Sequence, residues 1–111
     1  MPLELVKLNH LKTLDLSSNK LGGTLHTEIH FLNSLVTLDV SGNRLTGSLP
    51  SEIALIDDLE SLNLGNNSMN GVVPPELRKL TMLRFISVEN NLMQGDLSMI
   101  DGLEHLGELF L

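Results

Sequence analysis

The 111-residue chain has no cysteine, tryptophan or tyrosine, and Phe31, Phe85 and Phe110 are its only large aromatic side chains. Without cysteine, disulfide and thiolate chemistry are excluded, while the compartment stays open. With so few rings, a core has to be filled by branched aliphatics, and the chain carries twenty-six leucines. Positive charge is scarce as well: seven Lys and Arg stand against fourteen Asp and Glu, a formal net charge of −7. Nucleic-acid phosphates and anionic membrane surfaces call for clustered cations, so neither is expected as a partner. No apolar run approaches the ~18–20 residues of a membrane helix, so direct membrane insertion by this segment is not expected. The opening MPLELVKL lacks the apolar core of a secretory leader.

What is present is a repeat. Asn19, Asn43, Asn67 and Asn91 are 24 residues apart, and so are Gly23, Gly47, Gly71 and Gly95. Leu14, Leu38, Leu62 and Ile86 keep the same period, as do Leu16, Val40, Leu64 and Val88. Self-similarity at such a period signals stacked structural units. The copies span 8–31, 32–55, 56–79 and 80–102, flanked by part-copies at 1–7 and 103–111, so 1–111 is one array. The fourth copy is one residue short, with the loss expected between Leu97 and Ile100. MPLELVK falls in phase with LPSEIAL and VPPELRK, which puts Pro2 in the column of Pro50 and Pro74.

Each copy reads as one coil of a solenoid. An L-x-L alternation gives a short strand with both leucines inward. An Asn follows where the chain leaves the strand, placed to bond backbone groups of its own turn and of the neighbouring coil. A Gly four residues later marks positive φ or close approach. A proline then ends the extended segment, and a short helical turn follows with Ile29, Ile53 and Leu77 inward. One coil cannot bury its own apolar edge, so the coils stack and their strands form a parallel sheet about 4.8 Å from strand to strand.

The pattern L-x-x-L-x-x-L-x-L-x-x-N-x-L-x-G-x-(I/L)-P, matched by LKTLDLSSNKLGGTL and LVTLDVSGNRLTGSLP, resembles the plant-type, extracellular leucine-rich repeat. Similar repeats occur outside land plants. The resemblance implies an α/β solenoid, with short parallel strands on the concave side and short helical or irregular convex segments. It also implies a protein- or peptide-recognition module without catalytic residues or cofactors. The parent would be a receptor-like kinase or receptor-like protein, with any kinase domain outside this chain. The partner would then be a protein or peptide ligand or a co-receptor, met at the extracellular face of the plasma membrane or in secreted form. A secreted inhibitor of a cell-wall hydrolase and an intracellular scaffold are the alternatives. Extracellular members usually carry paired-cysteine caps, and none is present. The expectation is therefore that these residues are an inner segment of a longer array, with Met1, in the column of Leu25, Leu49 and Val73, either an interior residue or a start.

Candidate sites divide by phase. HTEIH, residues 26–30, resembles a metal site, but His26 occupies the proline column and His30 aligns with Ala54 and Arg78. A zinc-protease motif needs Glu directly after the first His, whereas Glu28 is two places on. Two histidines also fall short of three protein ligands. Surface histidines are expected there, and no metal. His26 for Pro, Ser98 for Pro and the shortened fourth copy are the departures that bear on convex regularity. Asp57, Asp58 and Asp101 lack the spacing of a calcium loop and read as solvated surface. Asn19, Asn43, Asn67 and Asn91 read as a structural ladder. Asn66-Asn67-Ser68 is a sequon whose acceptor, Asn66, carries a glycan if the chain is secreted.

The concave face presents the columns Lys12, Val36, Glu60, Arg84; Thr13, Thr37, Ser61, Phe85, Glu108; Asp15, Asp39, Asn63, Ser87, Phe110; and Ser17, Ser41, Gly65, Glu89. Solenoids commonly bind on that face. Arg84, Phe85, Glu89 and Phe110, with Asp39 and Asn63, are the expected partner contacts, since phenylalanine on an open sheet invites cover. Glu60 and Arg84 are expected to pair across strands.

Overall fold

The computed structural model describes residue 1, residues 3–96 and residues 98–111. The expected alignment of Pro2 with Pro50 and Pro74 lies outside the described residues. Five three-residue strands form one parallel sheet: β1 (Thr13–Asp15), then β3 (Thr37–Asp39), β5 (Ser61–Asn63), β6 (Phe85–Ser87) and β7 (Glu108–Phe110). Between them run β2 (Gly22–Thr24) and β4 (Arg44–Thr46), which pair with each other. Each coil closes through a 3₁₀ turn, at Leu3–Lys7, Thr27–Phe31, Ser51–Leu55, Pro75–Lys79 and Ser98–Gly102.

The strands stack in phase. Thr13 lies beside Thr37, then Ser61, Phe85 and Glu108; Asp15 lies beside Asp39, then Asn63, Ser87 and Phe110. The middle residue of each strand points inward, with Leu38 and Leu62 at 0% exposure against 7% for Leu14 at the edge. On the opposite wall Ile29, Ile53 and Leu77 are fully buried under their 3₁₀ turns. Burying such a side chain contributes roughly 1.5–3 kcal/mol. At the stack's ends Leu3 and Leu111 remain 48% and 59% exposed.

Between the two walls runs a second ladder that the columns alone do not announce. Gly22 pairs with Arg44 and Thr24 with Thr46, and single bridges continue it from Ser48 to Asn70 and from Val72 to Gln94. Here the partners are offset by two residues from the repeat period. A shift of two keeps inward and outward faces matched, because strand side chains alternate with period two. The glycine column belongs to this ladder. Gly47 has φ of 74°, and a Cβ there would stand 2.8 Å from Thr24 Cγ2. Gly95, at φ 107°, would meet Val72 Cγ1 at 3.0 Å. Positive φ and close approach are thus both required.

His26 departs from the proline column without departing from its geometry. Its φ and ψ of −72° and 146° match Pro50 at −69° and 138°. The shortened copy differs from expectation. Its 3₁₀ turn starts at Ser98, three positions past Gly95, where Ser51 and Pro75 begin turns four positions past Gly47 and Gly71. Ser98 therefore shares the phase of Thr27 and Ser51 rather than that of the prolines. The loss falls between Gly95 and Ser98, in a stretch that includes Leu97, itself outside the described residues. A convex connection can shed a residue there because the turn, not the link before it, holds Ile100 against the core.

Candidate functional site

The asparagine column is a ladder of side-chain bonds to backbone. Asn43 Nδ2 donates to Leu16 O and Val40 O at 2.9 Å each, and its Oδ1 accepts the Leu21 N–H at 3.1 Å. Asn67 and Asn91 repeat the pattern one and two coils further on. Each amide therefore joins its own coil to the one before, and supplies partners to groups the short strands leave unpaired.

One residue upstream lies a second column that sequence reasoning passed over. Ser18, Gly42, Asn66 and Asn90 all have left-handed φ, between 53° and 64°. Gly and Asn adopt that region readily, so three of the four were a usable signal, masked by the serine. Asn66 is exposed, and its Oδ1 accepts from Asn90 Nδ2 at 2.8 Å.

On the concave sheet the two halves differ. In the first two copies the carboxylates accept bonds from their own turns. Asp15 Oδ1 accepts both the Ser17 hydroxyl at 2.6 Å and the Ser17 N–H at 2.9 Å. These bonds, the hydroxyl's foremost, hold the Asp15 carboxyl below its ordinary pKa. Asp39 is bound in the same way by Ser41, and its Oδ2 accepts from Asn63 Nδ2 at 3.1 Å. Asp39 and Asn63, expected as partner contacts, are thus members of an internal hydrogen-bond chain.

The last two strands gather the others. Phe85 and Phe110 bring their rings to 5.7 Å between centroids, tilted by 44°, in the range of favourable aromatic pairs. Phe110 is 43% exposed. Arg84 Nε lies 4.0 Å from Glu60 Oε2, with both side chains well exposed, a pair worth about 0–1 kcal/mol. Ser87, expected on the open face, is instead 2% exposed, and its Oγ has no hydrogen-bond partner among the described residues. Its register partners in the sheet are Asn63 and Phe110.

HTEIH behaves as a turn. His30 Nδ1 donates to Thr27 O at 2.8 Å, and its ring lies 4.4 Å from that of Phe31. Both histidines are half-buried rather than fully exposed, since the proline column that His26 fills is wedged between coils. Among the described residues no group of three or more His, Asp or Glu side chains gathers in metal-binding geometry. A groove of about 780 Å³ lies away from the concave sheet, between the second ladder and the convex turns. Its walls are Gly47, Gly71, Pro50, Pro74 and their neighbours. It repeats with the coils, and so follows from stacking small residues rather than from any one site.

Family models described as leucine-rich repeats match residues 34–55 and 58–80, and a second such model matches 7–24, together more than half of the chain. Solved structures similar to it include a chain of the BIR3–SERK2 complex from Arabidopsis thaliana, at 36% identity and a TM-score of 0.87. That match covers 98% of this chain and 62% of that one. The plant peptide hormone receptor RGFR1 in complex with RGF2 matches at 32% identity and a TM-score of 0.95, over 99% of this chain and 18% of the receptor. The leucine-rich repeat protein LIC12759 of Leptospira interrogans matches at 32% and 0.91, over the whole of this chain and 28% of its own. The chain thus spans less than two thirds of each. No curated protein matches in sequence. Among the described residues, no helix is long and apolar enough to cross a membrane.

Proposed function

The chain belongs to the leucine-rich repeat family, and we propose that it is a protein- or peptide-recognition module that binds through its concave sheet and catalyses nothing. The observation that carries this reading is the aromatic pair Phe85–Phe110, set on an open sheet face beside Arg84 and Glu89. Elsewhere on the same face the carboxylates accept internal bonds from Ser17, Ser41 and Asn63. Surface rings that neither fill the core nor cap a turn are the residue type that dominates interface energetics. The finer reading is a segment of the ligand-sensing ectodomain of a receptor-like kinase or receptor-like protein, placed at the extracellular face of the plasma membrane. Two similar structures support it: one is the BIR3–SERK2 complex and the other is RGFR1 with RGF2 bound. On that reading Asn66, exposed at the sheet's exit, carries a glycan. The Leptospira match, which covers the chain completely, supports the coarser recognition reading, for which a secreted inhibitor of a cell-wall hydrolase and an intracellular scaffold are the alternatives to a receptor.

Selection of a random displayed peptide library against the purified chain tests the core proposal. Enriched peptides should lose binding to the Phe85→Ser/Phe110→Ser double variant and keep it to Lys20→Ser, on another side of the coil. Undiminished binding by a folded double variant overturns the assignment to the concave face.

A further inference from the structure

The convex wall carries a charge pattern that two neighbouring coils break. In a 3₁₀ turn, side chains three residues apart eclipse and so stand on one side. In Leu3–Lys7 these are Glu4 and Lys7, and in Pro75–Lys79 they are Glu76 and Lys79. Each of those carboxylates therefore has a cation for a neighbour. In Thr27–Phe31 and Ser51–Leu55 the glutamate stays, as Glu28 and Glu52, but Phe31 and Leu55 stand where the lysine was. Being 24 residues apart, Phe31 and Leu55 hold one phase on adjoining coils. They are 51% and 54% exposed, so neither fills the core. The His30 ring, 4.4 Å from that of Phe31, widens the apolar surface. Asp57 and Asp58, just past Leu55, are exposed as well, and no Lys or Arg lies between Arg44 and Arg78. Among the described residues the ion pair within 4.0 Å joins Arg84 to Glu60, so Glu28 and Glu52 are left without a cation.

We propose that the Phe31–Leu55 ridge docks a cationic amphipathic helix of a partner protein, laid along the stack. A helix advances about 5.4 Å per turn, close to the roughly 4.8 Å between stacked strands, so successive turns on one face meet successive coils. Its apolar stripe covers Phe31 and Leu55. Lys or Arg beside the stripe lay their stems on the same ridge and carry their charge to Glu28 and Glu52. The partner thus supplies from outside what Lys7 and Lys79 supply within the flanking coils. A neutral apolar helix would cover the ridge but desolvate carboxylates without pairing them, which is unfavourable. A second copy of this chain, at a net charge of −7, would bring more negative charge to a surface that lacks cations. The ridge lies on the wall opposite the sheet, so this inference stands apart from concave recognition.

The test is titration of the isotopically labelled 111-residue chain with an acetylated, amidated peptide, Lys-Leu-Ala-Ala-Lys-Leu-Ala-Ala-Lys-Leu-Ala-Ala-Lys, followed by amide chemical shifts. One companion peptide replaces every lysine by glutamine, and another replaces every leucine by alanine. The parent peptide should shift Glu28, Phe31, Glu52 and Leu55, with the glutamine peptide weaker by about fivefold and the alanine peptide by about tenfold. Two double variants separate charge from apolar cover. Phe31→Lys/Leu55→Lys completes the column as Lys7 and Lys79 do, and should weaken the parent peptide by about tenfold. Phe31→Ser/Leu55→Ser removes the apolar anchors alone, and should weaken it by about fivefold. Both replace exposed side chains, so the thermal melt should be nearly unchanged. Equal affinity of the lysine and glutamine peptides overturns the inference, as does undiminished binding by either folded variant. No response to the parent peptide overturns it too. Shifts confined to the concave sheet overturn it and leave concave recognition standing.

Discussion

Asn19 and Asn43 hold the same phase in consecutive coils. Asn43 bonds backwards across the stack to Leu16 and Leu21 as well as to its own turn. Asn19 donates to Leu16 O and Ser17 O of its own coil and stays exposed; the part-copy behind it supplies a 3₁₀ turn but, among the described residues, no strand. The glycines repeat the contrast. A Cβ at Gly47 collides with Thr24, whereas at Gly23 it meets nothing within 4 Å. So do the leucines, Leu62 at 0% exposure and Leu14 at 7%. In a solenoid each unit is stabilised by its neighbours, so identical residues differ in energetic weight by where they stand in the stack.

The contrast predicts paired effects, readable by urea unfolding followed by far-UV circular dichroism. Leu62→Ala should cost about 2–5 kcal/mol, as for a fully enclosed leucine, and Leu14→Ala at the edge about 1 kcal/mol less. Equal losses would mean that the first strand is as tightly enclosed as the third. Asn43→Leu should cost about 1–3 kcal/mol, because the Leu21 N–H and the Leu16 and Val40 carbonyls lose their partner. Asn19→Leu, whose partners face water, should cost under about 1 kcal/mol; an equal or larger loss would break the comparison. Gly47→Ala combines left-handed strain of about 1–2 kcal/mol with the Thr24 collision. Gly23→Ala carries the strain alone, so the difference between the two measures the collision.

The smallest effect is a titration. Asp15 is held below its ordinary pKa by Ser17. A carboxyl depressed in the folded state adds stability at pH above its unfolded value, and loses it as the pH falls through the folded value. For Asp15 that window lies in acid, below about pH 4. Ser17→Ala should raise the Asp15 pKa toward the ordinary 3.8, seen by carboxyl NMR titration, with little change in neutral stability. An unmoved pKa would show that the hydroxyl bond is not the cause.

Much of this was legible in the residues. The repeat period set which side chains are cross-strand neighbours, including Glu60 with Arg84 and the closeness of Phe85 and Phe110. It also set positive φ for Gly23, Gly47, Gly71 and Gly95, though not that of Gly42. Other features were not legible. Ser87 is buried between its register partners Asn63 and Phe110, and no property of serine announces that. The left-handed column was hidden because Ser18 adopts a conformation more usual for Gly or Asn. The first strand of the second ladder has no hydrophobic alternation, since Gly22–Thr24 is exposed throughout, and only Leu45 in Arg44–Thr46 points inward, so a three-residue pattern was all that marked it.

By itself the sequence determined the period, the stacking register and the identity of the inward columns, because coils of equal length superpose and apolar residues at one phase must be buried together. Only the tertiary structure decided which carboxylates of the concave face are spent on their own turns and which residues are left open. Those outcomes turn on side-chain volumes and hydrogen bonds between adjacent coils, where one residue's exposure is set by its neighbours 24 positions away.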